Sequence, residues 1–276
     1  MFKQFVRAAV AEHLDETYRF EGWAAAARGA EYFDVHTAVI DARETAVPTL
    51  ARVLPPGARV LESGCGSGRW LAWFARRGLR PVGLDDSAGA LAVGRRHGAA
   101  LALVRGDAVA SPFRAASFDA AFSAYVAEHF EAGPDALLAE LWRVLKPGGV
   151  LVLIVPYDNP FRRLVVDRVL AAYYWQARRR GRPLAFTEYR FTRREVRDVV
   201  VRAGFRLEAL EADDYRFPWA KGLCVDLGPL VRPRGLPAGS WELNLPGRLL
   251  ARALGALSPW SAAAGVLAVA RKPPTA

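Results

Sequence analysis

Residues 60–68 read VLESGCGSG. An apolar run closes on Glu62 and passes through Gly64, Gly66 and Gly68 into GRWLAWFARR, residues 68–77. Glycine lets the chain turn sharply and lets a ligand approach the backbone where a Cβ would collide with it. The spacing is GxGxG, unlike the GxGxxG of nicotinamide and flavin sites, and the GxxxxGK of a Walker phosphate loop is absent. In the run that follows, Trp70, Leu71, Trp73 and Phe74 recur at helical spacing and Gly78 is placed to end the helix.

On either side of this loop the chain alternates short apolar runs with longer helical ones. Strands are expected at 58–63, 80–85, 100–105, 118–124 and 149–155, and helices at 68–77, 87–97 and 133–145. That alternation is the signature of an α/β fold, a parallel sheet covered by helices on both faces. Thr192 with Glu195 forms a capping box, so a helix is expected at 193–203, ending at Gly204, then a sixth strand at 205–211 and a last one at 264–272. Ahead of the sheet, 1–20 and 34–53 read as helices joined by a Gly- and Ala-rich stretch. The domain reading is therefore a helical N-terminal cap over 1–54 and a main domain over 55–276. Within the latter, 156–190 reads as a lid insertion containing a helix, and 212–262 as an irregular insertion with a short amphipathic helix at 247–257.

Composition bounds the function classes. The chain has 276 residues and two cysteines, Cys65 and Cys224, too few for a disulfide scaffold and without the paired spacing of a structural zinc site. No segment reads as a signal peptide or a membrane span, so a cytoplasmic location is expected. The net charge is +10, and all but four of the 38 basic residues are arginine. Twelve arginines fall within residues 161–202 against four acids. Such a segment suits phosphate-bearing partners, and equally a solvated helix face in an arginine-biased chain.

Two further acidic positions lie at strand ends. PVGLDDS, residues 81–87, places Asp85 and Asp86 about twenty residues beyond the glycine loop, where a carboxylate can accept from ribose hydroxyls, or where Asp86 or Ser87 can simply cap the next helix. RGDA, residues 105–108, places Asp107 where it can accept from an exocyclic amine or serve a turn.

These three strand-tip features, followed by SFDAAFSAYVAEHF (117–130) and LWRVLKPGGVLVL (141–153), resemble the class I S-adenosylmethionine-dependent methyltransferases, in their type-11, ubiquinone-biosynthesis-like branch. The resemblance is close over about residues 45–155. Glu62 stands where that family usually has Asp, and Ser63 where an apolar residue is common. The resemblance implies a Rossmann-like, doubly wound seven-stranded sheet with its last strand antiparallel. It implies S-adenosylmethionine as cofactor and S-adenosylhomocysteine as product. Glu62 with Gly64 and Gly66 would hold the methionine portion, Gly68 would allow close packing, and Cys65 would be a small loop residue. Asp85, with Asp86 beside it, would take the ribose. Asp107 and Ala108 would meet the adenine edge, and Ala124 and Tyr125 would lie beneath the methionine. Tyr32 and Arg43 would close over the cofactor from the cap.

For chemistry, His129 is the first candidate base, because imidazole titrates near neutral pH, and Tyr157 is a second. His36, Arg162 and Tyr189 are candidate acceptor-binding residues. The scattered histidines give no metal-site spacing, and no metal is expected. The aromatic lid and 212–262 segments suit a small hydrophobic or amphipathic acceptor, lipid-like, isoprenoid or polyketide-like. VPYDNP, residues 155–160, holds the pieces of an exocyclic-amine DNA methyltransferase motif in the wrong order, which argues against nucleic acid as substrate. The alternative is a basic module on the same fold that contacts an anionic membrane or a nucleic acid through 161–202. The acceptor atom (oxygen, nitrogen or carbon) and the oligomeric state are left open by the sequence.

Overall fold

The computed structural model describes residues 1–7, 40–97, 101–233, 235 and 241–274. Its strands are β1 (Phe2–Arg7), β2 (Arg59–Ser63), β3 (Arg80–Asp85), β4 (Ala102–Arg105), β5 (Phe118–Ala124), β6 (Leu145–Pro156), β7 (Leu184–Arg190), β8 (Arg206–Asp213) and β9 (Gly265–Arg271). Its helices are α1 (Val47–Val53), α2 (Arg69–Arg76), α3 (Ala88–His97), α4 (Asp135–Val144), α5 (Asp167–Arg179), α6 (Arg193–Arg202), α7 (Lys221–Leu227) and α8 (Leu245–Leu257).

Seven strands form one sheet in the order β4-β3-β2-β5-β6-β9-β8. β2 pairs in parallel with β3 and β5, β6 pairs in parallel with β5, and β9 runs antiparallel to both β6 and β8. The fold is the Rossmann-like α/β class with its last strand antiparallel. On one face α2 lays Trp70, Trp73 and Phe74 against Phe122, Ile154 and Leu267. On the other, α4 and α6 pack Leu137, Leu141, Val196 and Val200 against the sheet. Both faces are covered, so the central strands are near-continuous apolar runs, as GVLVLIV of β6 shows.

Local signals place the element ends. After α2, Gly78 adopts φ +73, and the amide of Leu79 bonds back to the Phe74 carbonyl, so the chain leaves the helix where glycine permits it. The Thr192–Glu195 capping box forms as expected at the start of α6.

Two expectations are corrected. Residues 1–20 do not begin as helix: Phe2–Arg7 is a strand, paired antiparallel with β7 in a separate two-stranded sheet. β7, inside the segment read as a lid, is rich in strand formers, and its edge supplies backbone partners that a helix at 2–7 would leave unmet. The helix expected over 34–53 is broken near Glu44, which bridges to Tyr215, and α1 restarts with Pro48 in its first turn, where a missing N–H costs nothing. The helix expected within 156–190 is present, as a π-helical turn, Arg162–Val166, running into α5. The helix expected at 247–257 is present as α8, and segment 212–262 also holds α7, which the sequence reading did not anticipate.

Candidate functional site

In an open α/β sheet ligands bind beyond the carboxyl ends of the strands, where successive connections leave a strand in opposite directions. Here that point is between β2 and β5, because the chain steps from β2 outward through β3 and β4 and then returns to the other side of β2. A cavity of about 160 Å³ opens there, lined from the β2 side by Glu62, Gly64, Cys65, Gly66 and Ser67. Ala124 and Tyr125 close it from the β5 side, Ile154 from β6, Asp213 from β8, and Glu44, Arg69 and Trp70 complete the wall.

The glycine loop is held by β3. The amides of Gly64 and Cys65 donate to the Leu84 carbonyl at 2.8 and 3.0 Å, and that of Gly66 donates to Asp85 Oδ2 at 2.7 Å. Asp85 Oδ1 accepts from the amide of Ser87 at 2.9 Å. A carboxylate has about four acceptor positions, so Asp85 both ties the loop to the start of α3 and keeps capacity for another donor. Burial pushes its carboxyl above the usual range, against the two amides. The capping role weighed for Asp86 or Ser87 goes to Ser87, whose hydroxyl accepts from Ala90 at 3.2 Å.

Glu62 is 4% exposed, and its Oε2 has no hydrogen-bond partner among the described residues. Burial holds its carboxyl well above the usual range, and the charge of Arg69 works against that shift. An orphaned buried acceptor in a cavity wall suits an ammonium group, the chemistry of an amino-acid ligand. Cys65 is buried against Gly83, where an added Cβ would meet its Sγ at 2.6 Å, and burial pushes its thiol well up, so it packs rather than reacts.

Tyr125 follows β5 in a left-handed conformation, φ 59, uncommon for an aromatic residue. Its hydroxyl donates to Asp213 Oδ2 at 2.7 Å. Burial, with the charge of Glu44, pushes Asp213 up to about 7, while the bond from Tyr125 pulls it down. The adjacent Asp214 accepts from the amides of Tyr215, Lys221 and Gly222, which fixes the start of α7. Glu44 accepts from Arg69 at 2.7 Å.

The remaining expected residues are dispersed. Gly68 is the left-handed N-cap of α2. Asp107 is exposed and accepts from Val109 in a local turn, with Ala108 half-buried beside it. Arg43 lies over the Trp219 ring at 4.6 Å, outside the cavity wall. His129 is bonded through Nδ1 to the Thr187 carbonyl at 3.0 Å and does not line the cavity. Tyr157 is buried against Trp260, and Tyr189 donates to the Glu131 carbonyl at 2.8 Å. Arg162 departs from its expected role. It is 3% exposed, with Nε bonded to both oxygens of Asp226 at 2.8 Å and Nη1 to two carbonyls, so it is engaged in the protein interior rather than in the cavity wall. Tyr32 and His36 lie outside the described residues.

The glycine loop thus stands at the switch point of the sheet, beside an open cavity. Residues 61–153 match the family described as Methyltransferase domain. Over that third of its length the chain is similar to that family. A demethylmenaquinone methyltransferase of Renibacterium salmoninarum is 38% identical over 120 residues, 42% of this chain and 50% of the relative. A fatty-acid O-methyltransferase of Mycolicibacterium smegmatis is 42% identical over 131 residues, 44% of this chain and 47% of the relative. The chain thus spans about half the length of the curated relatives it matches. Among solved structures, a Haloferax volcanii methyltransferase in complex with the Trm112 methyltransferase activator superposes with a TM-score of 0.59 at 23% identity, covering 94% of this chain and 97% of that one. At that identity the likeness shows the fold alone.

Sequence reasoning missed Glu44, Arg69, Asp213 and Lys221. The first three enter the cavity wall through contacts between distant elements, and the paired acids Asp213 and Asp214 at a strand end were the available signal.

Proposed function

We propose that the protein is an S-adenosylmethionine-dependent methyltransferase acting on a small hydrophobic or amphipathic acceptor. The observation that carries this is the cavity at the β2/β5 switch point, walled by the glycine loop and by the unpartnered carboxylate oxygen of Glu62. The cofactor supplies a methyl group already activated by a sulfonium. Glu62 would accept from its ammonium group, and Asp85 from its ribose hydroxyls. Asp107 and the Ala108 amide, on the β4 side, would take the adenine edge, while Ala124 and Tyr125 would bound the methionine portion. With the methyl so activated, positioning and water exclusion supply much of the rate, and a base is required only for an acceptor that arrives protonated. Asp213 is better placed for that role than His129, since it stands in the cavity wall. The relatives named for demethylmenaquinone and for a fatty acid support an acceptor of apolar character.

The outward side of residues 161–182 bears on how such an acceptor arrives. Leu164, Val165, Val169 and Trp175 are exposed there among Arg163, Arg168, Arg178 and Arg179, and the one acid of the segment, Asp167, is buried against Arg190. Apolar side chains ringed by arginine suit the surface of an anionic bilayer. Among the described residues no helix is long and apolar enough to cross one.

Titration calorimetry with S-adenosylmethionine and S-adenosylhomocysteine tests the first reading. Wild-type protein is expected to bind both, and Asp85→Ala to weaken binding by about a hundredfold, two charge-assisted bonds at roughly 1.4 kcal/mol each. Failure of folded wild-type protein to bind either would overturn it. Cosedimentation with phosphatidylglycerol vesicles, lost on Arg178→Glu/Arg179→Glu, tests the second.

A further inference from the structure

We propose that Lys221 is an acceptor-binding residue, which takes an oxyanion of the methyl acceptor, carboxylate or phenolate, at the mouth of the cofactor cavity; the inference rests on the methyltransferase reading above. Lys221 opens α7, and its Nζ stands 3.2 Å from the centroid of the Tyr125 ring. Tyr125 is itself a wall of the cavity. The backbone of Lys221 is pinned there by Asp214, so the ammonium is presented by a fixed element. An ammonium has three donors, and a ring face engages the charge without accepting all of them. Among the described residues neither an ion pair nor a hydrogen-bond acceptor meets this ammonium, although Asp213, Glu44 and Glu128 all act on it electrostatically.

The open donors of Lys221 decide the class of ligand. In the cavity wall the charge of Glu44 is met by Arg69, and burial holds the carboxyls of Glu62 and Asp213 toward their neutral forms. The ammonium of Lys221 has hydrogens to donate and no lone pair to accept with, so it suits an acceptor that carries an oxyanion, whereas an amine acceptor would meet its like charge. A carboxylate or phenolate satisfies the ammonium directly. The acceptor oxygen then donates its electron pair to the methyl carbon, the oxygen–carbon bond forms, and the carbon–sulfur bond breaks with its pair passing to sulfur. The products are a neutral ester or ether and a neutral thioether, and no proton moves.

The test uses the full chain saturated with S-adenosylhomocysteine and two pairs of probes: dodecanoate against dodecan-1-ol, and 4-nitrophenolate against nitrobenzene. Calorimetry on wild-type protein should show the anion of at least one pair favoured by about tenfold, one charge-assisted contact of roughly 1.4 kcal/mol. The pair that shows it separates carboxylate from phenolate. Lys221→Met should erase that preference and Lys221→Arg should retain most of it, with homocysteine-cofactor binding confirming that each variant is folded. Wild-type protein that prefers neither anion, or a Lys221→Met variant that keeps the preference, overturns the assignment. If wild-type protein does not bind S-adenosylhomocysteine at all, the methyltransferase reading fails first and this one falls with it.

Discussion

The phenol of Tyr125 donates a 2.7 Å hydrogen bond to Asp213, joining the tip of β5 to the end of β8 across two intervening strands. The space below this bond is tight. A Cβ placed on Gly265 would stand 2.7 Å from the Tyr125 oxygen and 3.2 Å from Asp213 Oδ2. The bond therefore fixes one wall of the cavity and holds a carboxylate in it.

Asp213 titrates, by this geometry, close to neutral pH. Its folded-state value of about 7 lies above the 3.8 of an unfolded chain, so the folded state binds the proton more tightly. The stability it contributes is fully present below about pH 4 and is lost as pH rises through 7. Asp213→Asn should flatten the urea-denaturation stability profile between those limits, and a variant whose profile parallels wild type would contradict the assignment.

Gly64→Ala should damage the loop twice. The residue sits at φ +77, and an added Cβ would come within 2.2 Å of Val126 Cγ2. A loss of roughly 2–4 kcal/mol is expected from strain and overpacking together. Adding Val126→Ala should recover only the steric part, which denaturation midpoints of the single and double variants will separate.

Arg162→Ala should fail as a fold rather than as a binding site. The substitution leaves Asp226 buried and unpaired, an event that costs about 3–5 kcal/mol. Thermal melting should show a large drop in midpoint, while cofactor affinity measured well below that midpoint stays within about threefold, under 1 kcal/mol.

His129→Ala should leave turnover within about threefold of wild type, below the hundredfold or more expected on losing a general base. Its ring is bonded to the Thr187 carbonyl and stands outside the cavity wall. Steady-state rates at several pH values check this, and a collapse in turnover with cofactor binding intact would return His129 to the role of base.

The sequence by itself determined the order of strands and helices from residue 58 to 155, the glycine loop, the strand-tip acids and the ends of α2 and α6. Each of those is written locally, in apolar periodicity, in a left-handed glycine or in a capping box, and local physics is what a sequence displays. Tertiary structure decided the rest. Phe2–Arg7 became a strand because the edge of β7, at residues 184–190, offered it backbone partners. Arg162 was withdrawn from any pocket because Asp226 lay buried where its guanidinium could reach. Glu44, Arg69, Asp213 and Lys221 became neighbours of one cavity through the return of β8 and α7 to the edge where β2 and β5 end. Such meetings depend on which distant surfaces pack together, and no window of sequence carries that information.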